Sequence, residues 1–132
     1  MAIHGMNHFT VLSSDLDSTL RFYCGLLGLT NGPRPAFQFP GAWLCCGDTA
    51  VLHIVAGRAM PNPPAGVIDH MAFSATGLAA TVAKLQAHHI TYDLRQLPGG
   101  GTWQLFFHDP DGARVELDFD AAEAAPAHLP KP

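Results

Sequence analysis

Residues 69–85 read DHMAFSATGLAATVAKL and follow the plan of residues 7–23, NHFTVLSSDLDSTLRFY. At a constant offset of 62 residues, His70 falls on His8, Leu78 on Leu16, Val82 on Leu20 and Leu85 on Tyr23. Each stretch opens on an apolar strand and breaks at a residue able to cap a helix, Asp15 in one and Thr76 in the other. Apolar residues then recur at helical spacing: Leu16, Leu20, Tyr23 and Leu27 in the first copy, Leu78, Val82 and Leu85 in the second. Gly28 suits a helix stop, and His88 and His89 suit the negative end of the second helix. One gap then sets Leu29-Thr30 on Ile90-Thr91.

The likeness continues past the helices. AWLCCGDTAVLHI resembles TWQLFFHDPDGARVEL, with Trp43 on Trp103 and a second turn three residues longer. His53 then falls on Glu116. Each half reads strand–helix–strand–strand–strand, with the weak strand after each helix expected near 37–39 and 92–95. The fold class is α+β, two βαβββ modules making a cupped mixed sheet. One domain is expected over 1–132, with modules at 4–57 and 67–120. A Pro-rich connector, RAMPNPPAG, covers 58–66, and a mobile tail covers 121–132. Asp109-Pro110-Asp111-Gly112 carries the chemistry of a turn.

The last strand of the first half contains VLHIV, residues 51–55. A strand puts Val51, His53 and Val55 on one face and Leu52 and Ile54 on the other. Taken alone, His53 reads as a half-buried histidine. The duplication changes that reading. Each half carries a coordinating side chain at two equivalent places: His8 and His70 at the start of the first strand, His53 and Glu116 in the last. Packed about a pseudo-twofold axis, the four would surround one point. Three imidazoles and a carboxylate suit Zn²⁺, Ni²⁺, Fe²⁺, Co²⁺ or Mn²⁺. The competing picture has His8 and His70 in the core and Glu116 on a solvated strand edge.

Composition sets the bounds. Charged residues are 14% of the chain and apolar ones 48%, as in a globular protein rather than a disordered one. A net charge of −4 without a basic cluster argues against nucleic acid and anionic membrane as partners. No apolar run reaches the ~20 residues of a membrane span, and MAIHGMNHF lacks the marks of a signal peptide. Cys24, Cys45 and Cys46 are odd in number and form no CxxC, which fits a reducing cytoplasm. His4 and His128 lie near the termini, and His108 sits beside the DPDG turn.

GMNHFTVLSSDLDSTLRFYCGLLGL, VIDHMAF and FFHDPDGARVEL together resemble the vicinal oxygen chelate superfamily over residues 4–119. That superfamily includes glyoxalase I, fosfomycin-resistance proteins, extradiol dioxygenases and bleomycin-resistance proteins. The resemblance implies one divalent metal per site, held at His8, His53, His70 and Glu116, with His53 the variable position. It implies a small oxygen-bearing substrate bound through two oxygens, and an oxyanion or enolate stabilised in isomerase, lyase or transferase chemistry. Glu116 and His53 are the candidate proton carriers. Some members are dimers that combine modules from two chains, so a homodimer is expected. A literal glyoxalase I usually has glutamate where His53 stands. An Fe(II) extradiol-type dioxygenase, the alternative, usually has tyrosine where Phe106 stands. The QLPGGG loop lacks the polar, cation-binding residues of fosfomycin enzymes, which disfavours an oxyanionic epoxide. A bleomycin-resistance-like sequestering protein usually lacks the ligands retained here. Thr10, Phe37, Trp43, Trp103 and Phe106 are candidate pocket residues, and Arg34 a candidate contact for an anionic substrate.

Overall fold

The computed structural model describes residues 2–127; His128 and the rest of the tail lie outside them. The chain divides into two compact units, Met1–Ala65 and Gly66–Pro132. In the first unit, β1 (Phe9–Ser13) leads into α1 (Leu16–Leu20) and a π-helical turn (Arg21–Leu26). β2 (Thr30–Asn31), β3 (Gly41–Cys46) and β4 (Thr49–Ala56) follow. The sheet order is β1-β4-β3-β2, with β1 parallel to β4 and the other pairs antiparallel. The second unit repeats the plan with β5 (Met71–Ser74), α2 (Leu78–Ala87), β6 (Asp93–Gln96), β7 (Trp103–His108) and β8 (Arg114–Phe119), ordered β5-β8-β7-β6. These are the two βαβββ modules expected from the sequence.

Strand alternation separates core from site. In β4, Leu52, Ile54 and Ala56 are buried while Val51, His53 and Val55 are only partly covered. β1 adds Val11 and Ser13 to the buried set, and β3 adds Ala42 and Leu44. The Ser13 and Thr19 hydroxyls, both buried, hydrogen-bond at 2.6 Å and tie β1 to α1. In the second unit Leu78, Val82 and Leu85 of α2 are fully buried, as are Leu105 and Val115, with Phe107 and Phe119 nearly so. Each such side chain contributes roughly 1.5–3 kcal/mol through burial.

Two local expectations for the first unit need correction. The strand after α1 is at Thr30–Asn31, not 37–39. Its two residues are held by β3, and Thr30 Oγ1 also donates to Cys45 O. Residues 37–39 belong instead to a Pro-bounded loop in which Arg34 donates to Phe39 O at 2.9 Å. The first helix does not keep a plain α stripe. Leu27 N donates to Phe22 O, five residues back, and Leu29 N to Tyr23 O. The widened turn buries Thr19, Phe22, Tyr23 and Leu26, and leaves Leu20 and Leu27 partly exposed. Gly28, at φ 83°, closes this helix as expected.

Asp15 caps α1 as anticipated, accepting from Asp17 N. The cap of α2, however, is Gly77 rather than Thr76. Gly77 offers no side chain, and the carboxylate of Glu123 accepts from Gly77 N at 3.0 Å and Leu78 N at 2.7 Å. The indole N–H of Trp103 donates to Glu123 O. The first residues after β8 are thereby tied to the second unit. Glu123→Ala is expected to lower stability by about 1–2 kcal/mol, the size of a lost helix cap, read as an earlier midpoint in urea.

The DPDG turn is closed as its residues suggest. Asp109, buried, accepts from Asp111 N and Ala113 N, and Gly112 takes φ 95°. His108 is exposed. All three cysteines are free; Cys45 is buried and Cys46 exposed. No helix among the described residues is long and apolar enough to cross a membrane.

Candidate functional site

The two modules put the candidate ligands at matching places. In the first, Thr10 of β1 lies opposite His53 of β4; in the second, Ala72 of β5 lies opposite Glu116 of β8. His8 and His70 each stand two residues before those positions, just ahead of the strand. The histidine rings of the first unit meet, with centroids 3.7 Å apart and planes within 12°. In the second unit His70 Nε2 lies 3.0 Å from Glu116 Oε1. His8 and His70 are exposed, whereas Glu116 retains only 5% of its surface. This reverses the picture of core histidines and a solvated carboxylate.

Both exposed imidazoles are oriented by the residue before them. His8 Nδ1–H donates to Asn7 Oδ1 at 2.7 Å, and His70 Nδ1–H donates to Asp69 Oδ2 at 2.6 Å. An oxygen acceptor on Nδ1 leaves Nε2 as the coordinating atom. Arg114 Nη1 also donates to Asp69 Oδ2, at 2.7 Å. The hydrogen bond from His70, then that from Arg114, hold the Asp69 carboxyl below its ordinary pKa. Asn7 and Asp69 escaped notice in the sequence, although an acceptor directly before each histidine of the repeat was the signal that would have found them. Arg114 was visible only as a charge near Glu116.

His53 is clamped. Trp43 stacks on the face away from His8, at 4.1 Å and 11°. Burial first, then the neighbouring His8, pushes the His53 pKa below its usual value, so the ring is neutral near pH 7. An imidazole lone pair lies in the ring plane. Two parallel rings 3.7 Å apart therefore cannot both aim at one ion at the ~2.0–2.1 Å of a metal–nitrogen bond without one ring turning.

Glu116 has the opposite shift. Burial, then hydrogen bonding and charge repulsion from Asp118, push its carboxyl up, against the opposing effects of His70 and Gln104. Asp118 Oδ1 is buried without a hydrogen-bond partner among the described residues. Within the second unit, buried Glu116, half-buried Asp118 with its orphaned oxygen and the oriented His70 form a donor set short of positive charge, which fits a divalent cation. The first unit carries His8 and His53 at the corresponding places. Among the described residues, no group of three or more His, Cys, Asp or Glu is gathered around a single point for a metal.

The pocket candidates separate by face. Trp43 lies opposite His53 in the ladder, and Phe106 lies opposite Glu116. Phe106, not Trp103, is thus the counterpart of Trp43. Trp103 lies opposite Phe119, on the other face of the sheet from Glu116. The spacing along the two hairpins is the same, with Trp43 ten residues before His53 and Phe106 ten before Glu116, so matching the two tryptophans in the sequence displaced the alignment by three residues. Phe106 meets His70 edge-on at 5.5 Å and lies 4.6 Å from the Arg95 guanidinium and 4.3 Å from that of Arg114. Phe37 stacks on Phe39 and reaches Trp43 at 6.2 Å, with Arg34 5.0 Å from both phenyl rings.

The family model described as the glyoxalase/bleomycin resistance protein/dioxygenase superfamily matches residues 5–117. Glyoxylase I 4 of Arabidopsis thaliana is 31% identical over 119 residues, covering 85% of this chain and 68% of the relative. Glutathione transferase FosA of Serratia marcescens is 32% identical over 124 residues, covering 87% and 80%. In structure, the chain resembles a mutant of the fosfomycin resistance protein FosX from Listeria monocytogenes, complexed with Mn(II) and dihydroxypropylphosphonic acid. The TM-score is 0.73 at 16% identity, covering 90% of this chain and 94% of that one.

Proposed function

The chain belongs to the glyoxalase/bleomycin resistance protein/dioxygenase superfamily, and on that footing we propose that it is a metal-dependent, glyoxalase-like enzyme acting on a small oxygen-bearing organic molecule. His8, His70 and Glu116 hold one divalent cation, with the modules drawn from one chain or from the two chains of a homodimer. The observation that carries the reading is the repetition of an oriented donor pair at the same ladder position in both modules. Bound there, a Zn, Ni, Fe, Co or Mn ion supplies Lewis acidity toward two substrate oxygens.

The chain's own residues do the rest. His53 is the proton carrier. Neutral and fixed between two rings, it accepts a substrate proton at whichever nitrogen faces the substrate. Thr10, beside it in the ladder, positions a substrate oxygen. Trp43 and Phe106 limit water around the coordinating pairs. Phe106 has no hydroxyl, which weighs against ring-cleaving oxygenation. The FosA likeness favours one second reading, addition of a thiol to an electrophile, although QLPGGG offers no cation to an anionic substrate.

One preparation tests both. Protein purified without added metal is analysed for metal, then assayed for isomerisation of a glutathione hemithioacetal and for glutathione addition to fosfomycin. About one tightly held divalent ion per site, lost in His8→Ala, is the expected result. Metal-free protein that takes up no added ion overturns the metalloenzyme reading.

A further inference from the structure

The donor pairs are built alike but charged differently. In the first unit the Nδ1–H of His8 meets a neutral amide, Asn7. In the second the Nδ1–H of His70 meets a carboxylate, Asp69, whose same oxygen Oδ2 also receives Arg114. The ladders show that the first unit has no counterpart of that arginine. Leu52 lies opposite Phe9 where Val115 lies opposite Met71, so Val51 occupies the position of Arg114. Arg114 is itself placed against the Phe106 ring, which His70 touches edge-on. The chain Phe106–Arg114–Asp69–His70–Glu116 is continuous within the second unit, whereas in the first the Nδ1–H of His8 is held by a single hydrogen bond to the Asn7 side-chain amide.

We propose that Asp69, held by Arg114, is the positioning residue that makes His70 the stronger imidazole donor, so that a divalent cation is retained chiefly by the second unit. The proposal rests on the metal-binding reading above. An anionic acceptor on Nδ1–H raises electron density at Nε2 and fixes the ring; an amide does so more weakly. Asp69 is largely exposed and lies outside the core, so its replacement leaves folding intact.

Titration of the full chain with Zn(II) alone, followed by calorimetry, tests the proposal. Asp69→Asn is expected to weaken Zn(II) binding by about 10–100-fold, the usual effect of removing such a partner. Asp69→Glu recovers part of the loss. Asn7→Ala weakens binding only a few-fold. Asn7→Asp, which gives His8 the partner His70 already has, tightens binding by on the order of tenfold. A merely structural role for Asp69 predicts no such gain. Equal losses in Asp69→Asn and Asn7→Ala, or no tightening in Asn7→Asp, overturn the proposal and leave the metal reading intact. A wild-type protein that takes up none of Zn(II), Ni(II), Fe(II), Co(II) and Mn(II) overturns both.

Discussion

Glu116→Ala is expected to empty the proposed metal site and reduce turnover by more than ~100-fold, since even changes to residues behind a ligand reach that size. The side chain is the one anionic donor among the four candidates, and it is buried. Removing it leaves imidazoles to hold a dication in a setting where Asp118 cannot move into the vacated ladder position, two residues along the strand. Metal analysis after gel filtration reads the loss directly. The metal-free variant gives the complementary result. Burial holds the wild-type carboxyl above its ordinary pKa, so its ionised form is less favourable in the folded chain than in the unfolded one. That penalty is absent below the unfolded value and grows as pH rises through the folded one. Metal-free Glu116→Gln is therefore expected to melt no lower than metal-free wild type at neutral pH. A variant that melts several degrees lower would show that Glu116 is a structural residue.

The largest loss of stability is expected at Phe107. It keeps 1% of its surface and lies between fully buried Leu105 and the Asp109 turn, on the face of β7 turned from Glu116. Phe107→Ala removes a ring from that core and leaves a cavity, at a cost of about 3–5 kcal/mol. A domain of ordinary stability has only ~5–15 kcal/mol in total. The variant should unfold at markedly lower urea, or fail to accumulate folded at 37 °C. Phe107→Leu, which retains most of the volume, should lose much less. If Phe107→Ala unfolds within 1 kcal/mol of wild type, the assignment of core and site faces in β7 is wrong.

The fold was legible because period-2 and period-3.6 patterns recur in two copies, each checking the other. VLHIV alone could not say which of its faces was core; the buried Leu52, Ile54 and Ala56 do. The candidate ligands were legible for the same reason. What stayed hidden depended on contacts far along the chain. The cap of α2 comes from Glu123, 46 residues from the backbone N–H it accepts. The equivalence of Trp43 and Phe106 follows from their ladder partners, His53 and Glu116, and matching the two tryptophans in the sequence concealed it. The stacking of His53 between His8 and Trp43 depends on rotamers, which no spacing specifies.

The widened turn of the first helix accounts for the single gap between the two copies. Leu29 and Ile90 occupy equivalent positions, as do Tyr23 and Leu85. Leu29 N reaches back six residues to Tyr23 O, while Ile90 N reaches back five to Leu85 O. The extra residue in the first copy is therefore located where the π turn stands, and the gap between the repeats coincides with the bulge in the helix. The helix accommodates the added residue as a wider coil, leaving the strands on either side, and the histidines they carry, in places equivalent to those of the second copy.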